Sequence, residues 1–274
     1  MASTLAGAFS AACAKVAVMT ALLDARRLAD AASGFTIEVT DQTESTNADL
    51  TAAARAGAAE WTVHTTDHQV AGRGRLDRTF TMAAGKGIAV SVLVRPSEVP
   101  PARWSWLPLV AGLAVLDTVG EFGVTAGLKW PNDVLADGKR KLCGVLVERV
   151  ETTQGPAAVI GIGLNVALDA GDLPVETATS MLLEGSRSVD RNEVLPTLLV
   201  NLRIRVEQWR DPAQFEALST DFSTACATIG QQVRIERSDG SQVFGLATEI
   251  DADGCLVVDG VAWSAGDVTH LRPQ

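Results

Sequence analysis

The amino-acid sequence predicts an α+β protein in which strands and helices intermix over most of the chain and give way to a small β-barrel at its end. Three observations predict it. Residues 87–94, GIAVSVLV, form a nearly continuous apolar run closed by Pro96, the pattern of a strand buried on both faces. Residues 143–150 and 157–165 are two strand-like stretches joined by the turn sequence TTQGP, hence a hairpin. After Cys226 the texture changes to short strands at 233–235, 242–249, 255–258 and 261–263, punctuated by Asp-Gly pairs at 239–240, 253–254 and 259–260. Short, evenly spaced strands of that kind suggest a barrel of ~50 residues.

The other elements follow in order. Residues 1–18 are Ala-rich with one charge, Lys15, placed inside the apolar stretch and not before it, so a signal peptide is not expected. They read as a frayed extension, with Met19 as an alternative start. Helical spacing covers 21–32, with Gly34 suited to the position just past the helix end. Phe35, Ile37 and Val39 alternate as a strand does. Thr46-Asn47-Ala48-Asp49 fits a capping box that opens an Ala-rich helix ending near Gly57. A strand at 61–66 leads into a Gly/Arg-rich stretch. An amphipathic helix is expected at 107–122, with Pro108 tolerated in its first turn. A last helix is expected at 191–209, kinked by Pro196 unless that residue falls in the first turn. These elements divide the chain into an extension (1–33), a main unit (34–226) and the barrel (227–274).

Composition bounds the function. The 274 residues are 47% hydrophobic and 20% charged, enough for a buried core and too apolar for disorder. No apolar run is long and uninterrupted enough to cross a membrane. Thirty-three acidic against 23 basic residues give a net charge of -10, so general binding to nucleic acid or anionic membrane is disfavoured, while a local basic loop can still hold a small anion. Cys13, Cys143, Cys226 and Cys255 make no CxxC pair and read as reduced thiols of a cytoplasmic protein.

Four stretches carry chemistry. QVAGRGRLDR (69–78) alternates arginines and glycines. Glycine lets backbone amides approach a ligand, and guanidinium forks match phosphate or carboxylate oxygens. A solvated surface loop could have the same composition. KWPND (129–133) places Lys129 after an apolar segment and beside Trp and Pro. A held ammonium there could neutralise a carboxylate and a phosphate whose repulsion opposes their joining, although a surface Lys before a turn is the plainer reading. Ser45-Thr46-Asn47 gathers hydroxyls and amide donors at a helix start, as a cap or as a site. Gly161-Ile162-Gly163-Leu164-Asn165 ends a buried strand on an amide. Its glycines permit close approach or mark a bulge. There is no Walker A loop, no dinucleotide fingerprint and no nucleophile elbow, and His64 and His68 lack a third metal ligand. The chemistry suggested is charge neutralisation and positioning, with no covalent enzyme intermediate.

Taken in order, STN, QxAGRGRxxR, KWPND, KLxGxLxE (141–148) and GxGxN resemble the biotin–protein ligases, over about residue 35 to the C-terminus. The resemblance implies a mixed central β-sheet flanked by helices, of the class II aminoacyl-tRNA-synthetase-like or biotinyl-lipoyl ligase type, followed by an SH3-like β-barrel. It implies that biotin and ATP form biotinyl-5′-AMP and pyrophosphate, with Mg2+ accompanying ATP. Biotin then passes to a lysine of a biotin carboxyl carrier domain of a biotin-dependent carboxylase. It assigns Ser45, Thr46, Asn47, Gln69 and Gly144 to the biotin pocket, and Arg73, Gly74 and Arg75 to a loop closing over biotin and adenylate. Lys129 falls between carboxylate and α-phosphate, with catalysis resting on Lys129, Arg73 and Arg75. Arg78, Phe80, Asn132, Gly163 and Asn165 go to the nucleotide. No resident metal site is expected, and the protein is expected to be a monomer or weak homodimer. The sequence departs from the family pattern at Asp77, where Gly is usual, and at Phe80, where Trp is usual. Residues 1–33 show no basic clustering, so a DNA-binding repressor role is not expected. Lipoate ligases and a catalytically dead carrier-binding protein are the competing readings.

Overall fold

The structure, a computed structural model, describes residues 21–75, 78–237, 240–264 and 266–271. Residues 1–18, with Cys13, and Asp77 lie outside the described residues.

Asp24 caps the first helix, α1 (Ala25–Ala31), by accepting from the Arg26 and Arg27 amides, and Gly34 (φ +82°) turns the chain out of it. β1 (Thr36–Thr43) follows. Ser45, not Thr46, is the N-cap of α2 (Thr46–Arg55), with its hydroxyl accepting from Ala48 N. The capping box predicted from Thr46 and Asp49 does not form: the cap lies one residue earlier, the Thr46 amide donates to Gln69 Oε1, and Asp49 accepts from the Thr43 hydroxyl at 2.5 Å. β2 (Thr62–Gln69), a two-residue hairpin of β3 (Gly72–Arg73) and β4 (Thr79–Phe80), and β5 (Gly87–Val94) come next. Every residue of β5 is buried, Ser91 among them, as its nearly continuous apolar run predicts.

After a 3-10 turn (Pro101–Trp106), α3 (Leu107–Glu121) is a core helix and not the amphipathic one expected. It has few polar positions, and it is covered by the sheet on one side and by α4 (Arg191–Arg210) on the other. Pro196 stands past the first turn of α4, which continues through it. KWPND, expected as a turn, joins β6 (Gly127–Lys129) to β7 (Asp133–Ala136) across a cis Trp130–Pro131 peptide. β8 (Arg140–Thr152) and β9 (Gly155–Asn165) form the predicted hairpin with longer arms. Helix α5 (Phe215–Ala225) was not anticipated. Its Phe215 and Phe222 meet the Trp106 ring edge-on, with centroids 5.1 and 6.0 Å away.

The central sheet has the order β1-β2-β5-β9-β8-β7-β6, with β1 and β2 parallel and the other neighbours antiparallel. It is the mixed sheet that the resemblance implies. The second sheet is a small antiparallel barrel of β10 (Gln232–Glu236), β11 (Gln242–Ile250), β12 (Leu256–Val258), β13 (Val261–Trp263) and β14 (Asp267–His270), in the order β13-β12-β11-β10-β14. β14 is short and polar, which hid it from the sequence reading. Two buried indoles seat the barrel on the main unit: Trp106 donates to Ala252 O (2.9 Å) and Trp130 to Gly254 O (3.0 Å). Among the described residues, no helix is long and apolar enough to cross a membrane.

Candidate active site

Strand register builds the floor of a cavity of about 160 Å³ on one face of the sheet. Cross-strand pairing sets Ala89 beside Gly163 and Gly163 beside Gly144. One row along, Ser91 lies beside Gly161 and Gly161 beside Leu146. Residues directly opposite across antiparallel strands share a face, so small residues from three strands meet in one patch. The two β9 glycines have their space taken by neighbours. A Cβ at Gly161 would overlap the Asn47 amide, and one at Gly163 would overlap the Phe80 ring.

The start of α2 closes one side through a network of short polar bonds. Ser91, fully buried within an apolar strand, donates from Oγ to Asn47 Oδ1 (2.6 Å) and sits 2.8 Å from Thr46 Oγ1. Asn47 Nδ2 donates to Glu148 Oε2 (2.7 Å) and Leu146 O (3.3 Å). Gln69 Oε1 accepts from the Thr46 amide (3.0 Å). Every polar group in this stretch is thereby oriented before a ligand arrives.

The β3–β4 hairpin covers the cavity. It is pinned by the pairs Gly72–Phe80 and Arg73–Thr79 and by Gly74 N donating to Arg78 O at 2.7 Å. Arg73 reaches across to Glu148, with Nη1 3.8 Å from Oε1. Ser45, Thr46, Asn47, Gln69, Arg73, Gly74, Arg75, Arg78, Phe80, Asn132, Gly144 and Gly163 all line the cavity.

Two expected residues do not line it. Asn165 is buried with its Nδ2 donating to Thr179 O (2.8 Å), so it braces a loop beneath the site. Lys129 pairs with the cavity-lining Asp133 from the outermost strand, at the end of the row Ala89–Gly163–Gly144–Asp133 and so on the same face as the floor. Its charge acts on the barrel's His270, whose imidazole is held below its usual value by burial and then by Lys129.

The lysine that does line the cavity is Lys141. Its ammonium lies 2.6 Å from Asp133 Oδ1, and a Cβ at Gly144 would meet it at 3.2 Å. A bulge brings it there. Asp133 pairs with Gly144 and Val134 with Cys143, but Leu135 pairs with Lys141, leaving Leu142 as an extra residue. Strict alternation would turn Lys141 away from Gly144 and Glu148; the bulge turns it toward them. Asp133 and the buried Ser91 were also given no role by sequence. The one polar residue inside GIAVSVLV was a signal that could have found Ser91. Burial raises the Cys143 thiol well above its usual value, which keeps that cysteine protonated beneath the floor.

With this geometry in view, residues 37–165 match the biotin/lipoate A/B protein ligase family and residues 228–271 match the biotin protein ligase C-terminal domain. Over 264 residues, 91% of this chain and 96% of the relative, the sequence is 44% identical to a protein of Mycobacterium tuberculosis named a biotin–acetyl-CoA-carboxylase ligase. The chain belongs to the biotin protein ligase family. Another relative of this ligase family, the Bacillus subtilis bifunctional ligase/repressor BirA, is 31% identical over 74% of this chain and 62% of its own length. A biotin protein ligase from Aquifex aeolicus, solved with biotin and ATP, shares the fold, with a TM-score of 0.73, 24% identity and coverage of 87% of this chain and 99% of that one.

Proposed function

We propose that this ligase-family chain activates biotin with ATP to biotinyl-5′-AMP and pyrophosphate, then transfers biotin to a lysine of a biotin carboxyl carrier domain. The observation that carries this is one cavity in which a glycine-lined floor bearing Lys141 lies beneath Arg73, Arg75 and Arg78. Joining a carboxylate to an α-phosphate brings two anions together, and converging fixed cations lower that barrier most where charge builds up. The flat floor and the oriented Thr46–Asn47–Ser91 network suit a compact ring with polar edges. Mg2+ is proposed to enter on the phosphates of ATP, as part of the substrate.

Lys141, not Lys129, is the cation we assign between carboxylate and phosphate. It lies on the floor beside Gly144, whereas Lys129 stands at the sheet edge. Arg73 and Arg75 close over the product, and Phe80, whose ring lies against Gly163, is assigned to the nucleotide side. We assign the protein to the cytoplasm as a monomer or weak homodimer without DNA binding. Sedimentation and a gel shift at physiological salt check these points, and specific retention of duplex DNA would overturn the last.

The deciding experiment is pyrophosphate release from MgATP, run with biotin, with lipoate and with neither. Release that depends on biotin, followed by labelling of a carrier domain, is the expected result. Release with lipoate alone would favour a lipoate ligase. No release and no labelling by folded protein would leave a carrier-binding protein without catalysis.

A further inference from the structure

β2 and β5 stop pairing at Thr66–Ala89, and between them the chain leaves the sheet to build the closing hairpin before returning at Gly87. What holds the two roots of that excursion together is a guanidinium from elsewhere in the fold. Arg191, fully buried, donates from Nη2 to Asp67 Oδ1 (2.5 Å) on the outgoing root and from Nη1 to Gly87 O (3.4 Å) on the returning one. The same Nη2 donates to Ala21 O (2.8 Å), and Leu23 N donates to Asp67 Oδ1 (3.2 Å), so a strap of residues 21–24 packs against the roots. Asp67 O accepts from Gly85 N at 2.8 Å.

The placement is unfavourable for the helix that carries it. Arg191 opens α4, where the helix dipole opposes a cation. A buried charge there is tolerated only because it is paired and hydrogen-bonded. Helix stability therefore does not account for this arginine, while its geometry joins the two roots.

We propose that Arg191 is a positioning residue that clamps the hairpin roots through Asp67 and Gly87, and thereby sets how long the activated adenylate is retained. The inference rests on the adenylation reading above. Gln69, which orients Thr46, is two residues beyond Asp67, and Gly72 begins the hairpin just after. A root free to spread would displace the cover more than the floor. The clamp therefore governs retention and biotin KM more than the bond-forming step.

The test uses full-length protein carrying Arg191→Lys, which keeps charge but loses the fork, and Asp67→Asn, which keeps shape but loses charge. Asp117→Asn serves as a control, because it breaks the Arg205–Asp117 pair (2.6 Å) away from the hairpin. We expect the adenylate to dissociate from both clamp variants faster by roughly 10- to 100-fold, with raised biotin KM and adenylation kcat within about threefold. The control should lower thermal stability but retain adenylate as the wild type does. Wild-type retention in folded clamp variants, or equal acceleration in Asp117→Asn, would overturn the proposal. If neither clamp variant folds, hydrogen exchange on the unaltered, ligand-free protein decides. Protected Leu23 and Gly85 amides with fast exchange at Gly74 support the clamp, and fast exchange at all three overturns it. Wild-type protein that releases no pyrophosphate with biotin would sink the ligase reading itself, whereas release with unchanged retention sinks only the clamp.

Discussion

Across the cavity floor, β8 and β9 pair without interruption from Cys143–Leu164 to Thr152–Gly155, whereas the hairpin above makes two pairs, Gly72–Phe80 and Arg73–Thr79. The floor is a sheet interior, backed by core residues such as Val145, Ile160 and Ile162. The cover has few ladder bonds and little burial, and it depends on its roots and on what lies beneath it. Both regions bring cations to the same space. A rigid floor suits the group that acts while charge is building, because its position costs nothing to reorganise. A lightly held cover suits groups that must admit substrates and then keep the product in, since ordering it has an entropic cost that a ligand can offset.

Four measurements can break or sharpen that contrast. The largest effect is expected at the floor: Lys141→Ala should slow single-turnover adenylation by ~100-fold or more, while Lys129→Ala stays within about tenfold. Equal losses would erase the distinction between floor and edge. Next, Gly161→Val should push against the Asn47 amide and weaken biotin binding by roughly 1–3 kcal/mol in calorimetry, as overpacking does. Undiminished affinity would mean that the floor yields as readily as the cover.

A cover substitution should show the opposite signature. Arg75→Gly removes a cation and adds chain freedom, so the adenylate should escape on the order of tenfold faster and modify bystander lysines, with single-turnover adenylation changed far less. An unchanged off-rate would remove Arg75 from the closing function.

The smallest effect concerns the barrel. His270, whose Nε2 lies 3.0 Å from the Thr228 hydroxyl, is held below its usual value near 6.5 by burial and then by Lys129. A base whose folded value is depressed binds more protons when unfolded, so its contribution to stability falls as pH drops through about 6.5. Melting temperatures at pH 5.5 and 7.5 should differ more in the wild type than in His270→Gln. The same difference in both would separate this histidine from the seating of the barrel.

Much of the architecture was legible in the chain. The nearly continuous apolar run 87–94 announced a central strand, TTQGP a hairpin, and the Asp-Gly pairs a barrel, because burial on two faces and tight reversals each demand particular residue types at particular spacings. Helix α5 escaped notice although Phe215, Leu218 and Phe222 stand at helical spacing. The stretch is short, and its apolar stripe makes sense only against Trp106. The cap of α2 lies one residue before the expected one because Ser45 and Thr46 are both good caps, and in the fold the Thr46 amide is bound by Gln69 from β2.

The sequence by itself determined which residue types could make this site: hydroxyls and an amide at a helix start, arginines between glycines, and glycines on two neighbouring strands. It could not determine which lysine faces them, because a side chain's face depends on strict alternation and on which residues pair across the sheet. Lys129 looked better placed by its apolar and aromatic neighbours, yet pairing set it on the outermost strand. Lys141 should have pointed away from Gly144, until one extra residue at Leu142 shifted the ladder and turned it inward. That shift arises between strands, where a single sequence carries no record of register, so only the tertiary structure placed the ammonium on the cavity floor.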